Sequence, residues 1–484
     1  MRFSLLPLVF LVPFLISGCD APEKPPRRPN ILFIAIDDLR PQLGAYGETY
    51  MHTPNLDRLA AQGRLFTRHY VQVPTCGASR YSLLTGTRPS SPDHLNNMAL
   101  VRLLPKTESQ SPESFAHLLR RNGYYTVSLG KIGHHVDGRV YSYEGEGAGE
   151  WEMPFSWNEC WGPTGKWGTA WNAFFGYSDG TNRNQEKGRY PAFERAAVAD
   201  TALPDGLIAQ KAIESLRALK DTTFLLAVGF FKPHLPFTAP AKYWDLYHPD
   251  SIPLSPNPEV PVGTHPNSLH RSGEMFGNYA HPETGGAGIR LSDEYARTLH
   301  HAYCASVSYA DAQAGKVLDE LDRLGLAENT IVVVWGDHGW HLGDHTIWGK
   351  HSTFERALRS ALIIRTPGMA QPGVATDGIV ESLDLYPTLA QLAGIDSLPT
   401  GLTGASLLPL LQDPQHPGKD GAWGYWHGRR SLRTDRYRIT VYDEAGPGEA
   451  RVELFDHETD PHETRNVAAE NPEIVKALLP RLGE

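Results

Sequence analysis

Acidic and basic side chains stand at the ends of apolar runs in this 484-residue sequence, a placement suited to chemistry on an anion. The run at 31–36 stops at Asp37 and Asp38, and the run at 331–335 leads through Gly336 to Asp337 and His338. The run at 125–129 is followed by Lys131 and His134, and that at 224–231 by Lys232 and His234. Three carboxylates with a neighbouring side-chain nitrogen or amide oxygen are the donor set of a hard divalent cation. Ca2+ or Mg2+ is expected before Zn2+, because the histidines lack close metal-ligand spacing. Lysine and histidine beside such a site suit a tetrahedral oxyanion, and either one, when protonated, can donate to a leaving oxygen. The combination predicts transfer of a phosphoryl or sulfuryl group. Cys76 is the candidate nucleophile, but too few residues separate it from Arg80 for the phosphate loop of a thiolate phosphatase.

The elements that must position these groups are legible in the hydrophobic pattern. Continuous apolar runs of strand length are what parallel strands buried on both faces require. Between them lie helical patterns. At 53–63, Thr53 can cap and Pro54 suits the first helical position. Further helices are expected at 203–219 and 292–324, the latter long enough to be two. The alternation predicts an α/β fold, a mainly parallel sheet sandwiched by helices. Ligands of such sheets bind outside the carboxyl ends of the strands. Asp37, Asp38, Lys131, His134, His234, Asp337 and His338 should therefore gather at one edge. The run at 361–364 carries only Arg365 and reads as a structural strand. Beyond Gly394, short strand-like runs at 423–426, 431–442 and 452–455 and a helical stretch at 471–482 predict a small C-terminal α+β subdomain, an antiparallel sheet plus helix, at 395–484.

With 40% hydrophobic and 21% charged residues the chain can bury a core. Lys and Arg number 45 against 55 Asp and Glu, a net charge of −10 without long runs of either sign, so nucleic acid is not an expected partner. The N-terminus reads as an address. Arg2 precedes an apolar stretch at 3–16 too short to span a bilayer, and Leu15-Ile-Ser-Gly-Cys19 resembles a bacterial lipoprotein signal. Residues 1–19 are thus a signal peptide, 20–29 a Pro-rich tether, and 30–394 the catalytic domain. An exported, periplasmic or cell-surface protein anchored to the membrane by lipid on Cys19 is predicted. Four cysteines are too few for a disulfide scaffold. Cys160 and Cys304 have no assigned task, and pairing and unpaired burial both remain open. His135, His300 and His301 are expected at the surface, and His94 and Asn97, shortly after the Cys76 segment, are expected to border the substrate pocket. The aromatic residues at 151–190 either stack on sugar rings or pack their own loop.

Cys76-Gly-Ala-Ser-Arg80 followed by Leu84-Thr-Gly86 resembles the signature of type I sulfatases, in which the cysteine is oxidised to formylglycine. Asp37-Asp38, Gly130-Lys131-x-x-His134, Lys232-Pro-His234 and Asp337-His338-Gly339 follow in that family's order. Within it the sequence is most similar to iduronate-2-sulfatases. Asp37-Asp-Leu-Arg-Pro41, Ala227-Val-Gly-Phe-Phe-Lys-Pro-His-Leu-Pro-Phe237, Asp337-His-Gly-Trp-His-Leu-Gly-Asp-His345 and Trp348-Gly-Lys350 carry the likeness. Ala78 stands where the commonest motif has Pro, a departure that bears on recognition by the formylglycine-generating maturation enzyme.

The resemblance implies an alkaline-phosphatase-like fold and hydrolysis of a sulfate ester on a glycan, with the 2-O-sulfate of a terminal uronic acid as the specific form. It implies Ca2+ held by Asp37, Asp38, Asp337, His338 and the modified Cys76. It further implies that Arg80 and Lys131 fix the aldehyde hydrate, that His134 accepts its proton, and that His234 and Lys350 clamp sulfate and protonate the departing sugar oxygen. The aldehyde matters because its hydrate offers one hydroxyl to attack sulfur and a second whose collapse expels sulfate, which serine lacks. A phosphodiester or phosphonate monoester hydrolase on the same scaffold and a non-catalytic sulfated-glycan-binding lipoprotein are the alternatives.

Overall fold

The computed structural model describes residues 28–102, 107–110, 112–141, 147–444 and 451–483 of the protein. The expected signal peptide with Cys19, and the expected tether as far as residue 27, lie outside the described residues. Among the described residues, no helix is long and apolar enough to cross a membrane.

The main sheet has seven strands. In chain order they are β1 (Asn30–Ile36), β2 (Arg64–Leu65), β3 (Tyr125–Gly130), β4 (Glu159–Trp161), β5 (Phe224–Phe230), β6 (Thr330–Gly336) and β7 (Leu362–Arg365). Their spatial order is β2-β7-β6-β1-β5-β3-β4. From β6 through β4 all neighbours are parallel, while β7 runs antiparallel to both β6 and β2. The expected structural strand at 361–364 is this antiparallel β7.

β1 is central, and alternate residues serve opposite faces. Leu32, Ile34 and Ile36 join one core layer, and Ile31, Phe33 and Ala35 the other. That is why the run has no polar member. The first layer is covered by helices α1 (Pro54–Gln62), α4 (Pro204–Leu219) and α5 (Asp293–Arg323), and the second by α2 (Cys76–Thr85), α3 (Phe115–Arg121) and α6 (Leu385–Leu392). The stretch expected to hold two helices is the single 31-residue α5, capped where the Ser292 hydroxyl accepts from the Tyr295 amide at 3.2 Å. No proline interrupts it, and its apolar stripe stays against the sheet.

β4 has no counterpart among the expected strands. Residues Glu159–Trp161 are too few to show a strand pattern, yet they pair in parallel with Val127–Leu129 and set Cys160 opposite Ser128. Cys160 and Cys304 are both free thiols.

At the C-terminal end, β8 (Ala422–Trp426), β9 (Arg429–Arg433), β10 (Tyr437–Tyr442) and β11 (Val452–Asp456) form a consecutive antiparallel sheet, followed by α7 (Pro472–Leu478). A buried ionic knot joins it to the main body. Arg438 donates to Glu463 at 2.8 Å and to Glu355, while Arg433 pairs with Glu355 at 3.3 Å. Deleting either partner would strand a charge away from water, a loss of about 3–5 kcal/mol.

Candidate active site

Sheet register brings the acids together. Ile36 pairs with both Gly336 and Phe230, so Asp37 and Asp337 leave their strands side by side. Asp38 turns sharply with φ 60°, a left-handed conformation that Asp tolerates better than most residues, and its amide donates to Asp337 Oδ1 at 2.8 Å. Gly130 pairs with Gly229, and the approach is close: a Cβ on Gly130 would stand 2.2 Å from the Gly229 carbonyl oxygen. This brings Lys131 to Asp37, with Nζ 2.6 Å from Oδ2.

Cys76 opens the ten-residue, fully buried helix α2 and is itself 2% exposed. Helical spacing puts Cys76 and Arg80 on one face. Arg80 donates to Asp37 Oδ1 at 3.0 Å and to Asp337 Oδ2 at 3.0 and 3.1 Å, and it also reaches the Lys131 carbonyl. At the helix entrance Asn97 Oδ1 accepts from the Thr75 hydroxyl and the Gly77 amide, both at 3.0 Å. A Cβ on Gly77 would lie 2.2 Å from the Asn97 carbonyl oxygen, so this contact requires glycine.

Lys350 Nζ lies 2.9 Å from Asp38 Oδ1 and 3.3 Å from Cys76 Sγ. His338 Nε2 lies 3.3 Å from Asp38 Oδ1 and 3.4 Å from Cys76 Sγ. Asp37, Asp38, Cys76, Arg80, Lys131, His134, His234, Asp337, His338 and Lys350 are thus all buried, in one neighbourhood. Lys232, from the same motif as His234, points away and donates to the His234 and Pro236 carbonyls at 2.8 and 2.6 Å, holding the loop that carries His234.

Electrostatics separate the three acids. Burial alone would raise Asp37, but Lys131, His234 and Arg80 hold it well below the ordinary carboxylate range. Burial lifts Asp38 well above that range against the pull of Lys350 and His338, and it raises Asp337, with Asp37 adding repulsion. Burial, with Asp37 beside it, pushes the Cys76 thiol up to about 12, the opposite of what a thiolate nucleophile needs.

The donor set fits a divalent cation. Ligand atoms of Asp37, Cys76, Asp337 and His338 lie within 4.8 Å of one another, as do those of Asp37, Asp38, Cys76 and His234. Asp38 Oδ2 is buried without a hydrogen-bond partner. The cluster's three carboxylates supply the oxygens that hard cations prefer, beside one sulfur and two imidazole nitrogens.

A cavity of about 280 Å³ opens over Cys76, walled by Lys131, His134, Trp171, Phe174, His234 and Lys350. Phe174 packs against His234 with ring centres 4.4 Å apart and the planes tilted by 41°. Asn97 reaches this cavity as expected. His94 instead stacks on Tyr81 at 4.5 Å and does not line it. A wider opening adjoins the cavity through Asn97 and His351 and is bordered by Trp426 and His427 of the C-terminal sheet's first turn.

Sequence reasoning missed two acids. Glu152 accepts from the His134 and His135 amides at 3.0 and 3.1 Å and pairs with His135 Nδ1 at 3.1 Å, so it holds the loop bearing His134. Glu274 lies 2.9 Å from His234 Nε2 and 3.3 Å from Lys350 Nζ, and the Lys350 ammonium with the hydrogen bond from His234 keeps its carboxyl well below the ordinary range against burial. No motif marks either residue: Glu152 directly follows a short strand and Glu274 lies in a helix of only four residues, Gly273–Phe276. His135 and His300 are buried rather than surface residues, and His300 Nε2 lies 2.8 Å from the Gln42 side-chain amide. His301 is partly buried, with Nε2 3.0 Å from the Trp244 carbonyl oxygen.

Comparison with known proteins agrees with this geometry. The Sulfatase family pattern matches residues 29–395, and that of the N-sulphoglucosamine sulphohydrolase C-terminal region matches residues 343–484. Iduronate 2-sulfatase of Mus musculus is 32% identical over 405 residues, covering 76% of this chain and 69% of the mouse protein. Among solved structures, BT4656 in complex with its substrate D-glucosamine-2-N,6-O-disulfate has a TM-score of 0.71 at 20% identity, covering 94% of this chain and 97% of that one. The phosphonate monoester hydrolase of Agrobacterium radiobacter has a TM-score of 0.73 at 20% identity, covering 94% and 95%. The expected alkaline-phosphatase-like architecture is the one observed, and the chain, a sulfuric ester hydrolase, belongs to the sulfatase family.

Proposed function

We propose that this sulfatase removes sulfate esters from sulfated glycans, with the 2-O-sulfate of a terminal uronic acid as its substrate, using formylglycine made from Cys76 and a bound Ca2+. The observation that carries the reading is the position of Cys76, at the start of a buried helix, 3.3 Å from Lys350 and within the same donor cluster as Asp37, Asp337 and His338. A protonated thiol there is a poor nucleophile but a well-placed precursor. The 32% identity with a protein named iduronate 2-sulfatase supports the sugar assignment.

Asp37, Asp38, Asp337 and His338 would hold the cation together with the modified Cys76. Once bound, the aldehyde hydrate supplies a hydroxyl to attack sulfur and another whose collapse releases sulfate, and the cation supplies positive charge to a sulfate oxygen. Arg80 fixes Asp37 and Asp337 through its fork of donors and keeps their oxygens turned to one side. Lys131 is pinned to Asp37 and presents a permanent cation, because that carboxylate raises its pKa against burial. His134 is held well below the ordinary imidazole range by burial and by Lys131, which makes it a neutral base able to take a proton. Lys350, raised well above its ordinary value by Asp38, Cys76 and Glu274 against burial, stays protonated and faces the sulfate with His234.

Charge counting supports an anionic substrate only with the cation in place. Counted as charged, Asp37, Asp38, Asp337 and Glu274 are only matched in number by Arg80, Lys131, Lys350 and Arg183. A divalent ion turns that balance positive, so a sulfate ester is drawn in.

The N-terminal sequence supports export and lipid attachment through Cys19, as a periplasmic or cell-surface enzyme that meets its polysaccharide outside the cytoplasm. Incorporation of labelled fatty acid into the wild type but not the Cys19→Ala protein tests this. Incubation with a panel of sulfated oligosaccharides, with release of inorganic sulfate as the readout, tests the substrate. Faster hydrolysis of a phosphonate monoester or phosphodiester than of every sulfate ester would favour the second reading, which the solved phosphonate monoester hydrolase fold allows.

A further inference from the structure

Arg183 differs from every other cation lining the active-site cavity. Lys131 and Lys350 each have a carboxylate partner, at 2.6 and 2.9 Å. Arg183 lines the same cavity, yet no acidic side chain among the described residues pairs with it. It is nonetheless held in place. Its guanidinium carbon lies 3.5 Å from the centre of the Phe175 ring and 5.5 Å from that of Tyr279, and Nη1 donates to the Tyr279 hydroxyl at 3.3 Å. Aromatic faces stabilise a guanidinium without neutralising it. Phe175 adjoins Phe174, the residue that packs against His234, so this platform continues the wall of the sulfate clamp.

A positioned, uncompensated guanidinium in a half-buried wall is a receptor for an anion. Its planar fork matches a carboxylate or a sulfate with two parallel hydrogen bonds, which an ammonium cannot reproduce. The scissile sulfate already has Lys131, His234 and Lys350. We propose that Arg183 binds a second anionic group on the sugar whose sulfate is removed, the carboxylate of a uronic acid or a second sulfate. The proposal deepens the reading above and rests on it.

The test compares the wild type with Arg183→Ala and Arg183→Lys on two pairs of sugars. The first pair is a 2-O-sulfated uronic acid oligosaccharide and its carboxyl-reduced counterpart. The second is a hexosamine bearing one sulfate and the same sugar bearing two. Arg183→Ala is expected to lower kcat/KM by about tenfold or more on the more charged member of one pair, chiefly through KM, and by less than about twofold on the other member. Loss confined to the uronate identifies the anion as carboxylate, and loss confined to the disulfated sugar identifies it as sulfate. Arg183→Lys should recover part of the affinity. Equal loss on both members of both pairs, or no loss on any, overturns the proposal.

Affinity of the same sugars for Cys76→Ala protein, measured by calorimetry with and without Arg183→Ala, keeps the two readings apart. A wild type that releases no sulfate from any sugar refutes the glycan sulfatase reading. The charge-dependent loss of binding in the Arg183→Ala protein then decides Arg183 by itself, and its absence overturns the proposal.

Discussion

The Glu274 carboxylate stands 2.9 Å from Nε2 of His234, whose other ring nitrogen lies 2.6 Å from the Leu235 carbonyl oxygen. Burial and the Lys350 ammonium push the ring's pKa down to about 3 even though Asp37 and Glu274 pull it up, so the ring is neutral and carries one proton. Glu274 is what makes the Nε2 proton tenable. In Glu274→Gln, kcat should fall by about tenfold, while KM for the sulfate ester does not rise, since the lost charge repelled the substrate. Steady-state kinetics decide, and a higher KM at unchanged kcat would instead make Glu274 a sugar ligand.

Oxidation of Cys76 has a direct signature. In mass spectra of active protein, the peptide containing it should lose the elements of hydrogen sulfide and gain one oxygen. Cys76→Ala should lower turnover by more than about a thousandfold with an unchanged melting temperature. Recovery of an unmodified thiol from fully active enzyme would refute the aldehyde.

Chelation should abolish sulfate release, and Ca2+ should restore it. The same treatment should lower the melting temperature, because Asp37, Asp38 and Asp337 are buried together and Asp38 Oδ2 has no hydrogen-bond partner. At a hundredfold excess over Kd a specific ion contributes about 3 kcal/mol of stability. Differential scanning calorimetry with and without chelator measures it.

Acid should destabilise the fold through buried neutral histidines. Ring nitrogens of His69 lie 3.2 Å from the Ser360 carbonyl oxygen and 2.9 Å from the Ser382 hydroxyl, which itself accepts from Trp335 Nε1 at 2.9 Å. Burial lowers its pKa from 6.5 to about 4. The unfolded chain therefore takes up this proton first. The contribution is fully present above about pH 6.5 and is lost as pH falls toward 4, about 2 kcal/mol of it between pH 7 and 5. His69→Gln should flatten the decline by that amount in denaturant melts at the two pH values.

The strand-end acids and bases are legible because a parallel sheet imposes a rule. Apolar runs buried on both faces end in polar residues at one edge of the sheet, and Asp37, Lys131, His234 and Asp337 each obey it. Cys76 is legible from its neighbours Ala78, Ser79 and Arg80. Glu152, Arg183 and Glu274 obey no such rule. They come from segments whose course is set by tertiary contacts, such as the stacking of Phe175 under Arg183, and local sequence records nothing of those contacts. The three-residue strand at Glu159–Trp161 is hidden for the same reason, since its pairing with β3 rather than its own residues makes it a strand. His300 reads as exposed because its partner Gln42 is distant in the chain.

The register that aligns Ile36 with Gly336 also sets a clock on the protein's birth. Asp38 and Asp337 meet across 299 residues, so the pocket cannot close until β6 has been made and threaded beside β1. During that interval the thiol near the beginning of the chain has no lid. Afterwards it is 2% exposed at the foot of a buried helix. If Cys76 is remade as proposed, a modifying enzyme that must grip the surrounding chain would have to do so before this helix is buried, since afterwards only the cavity above the thiol leads to it.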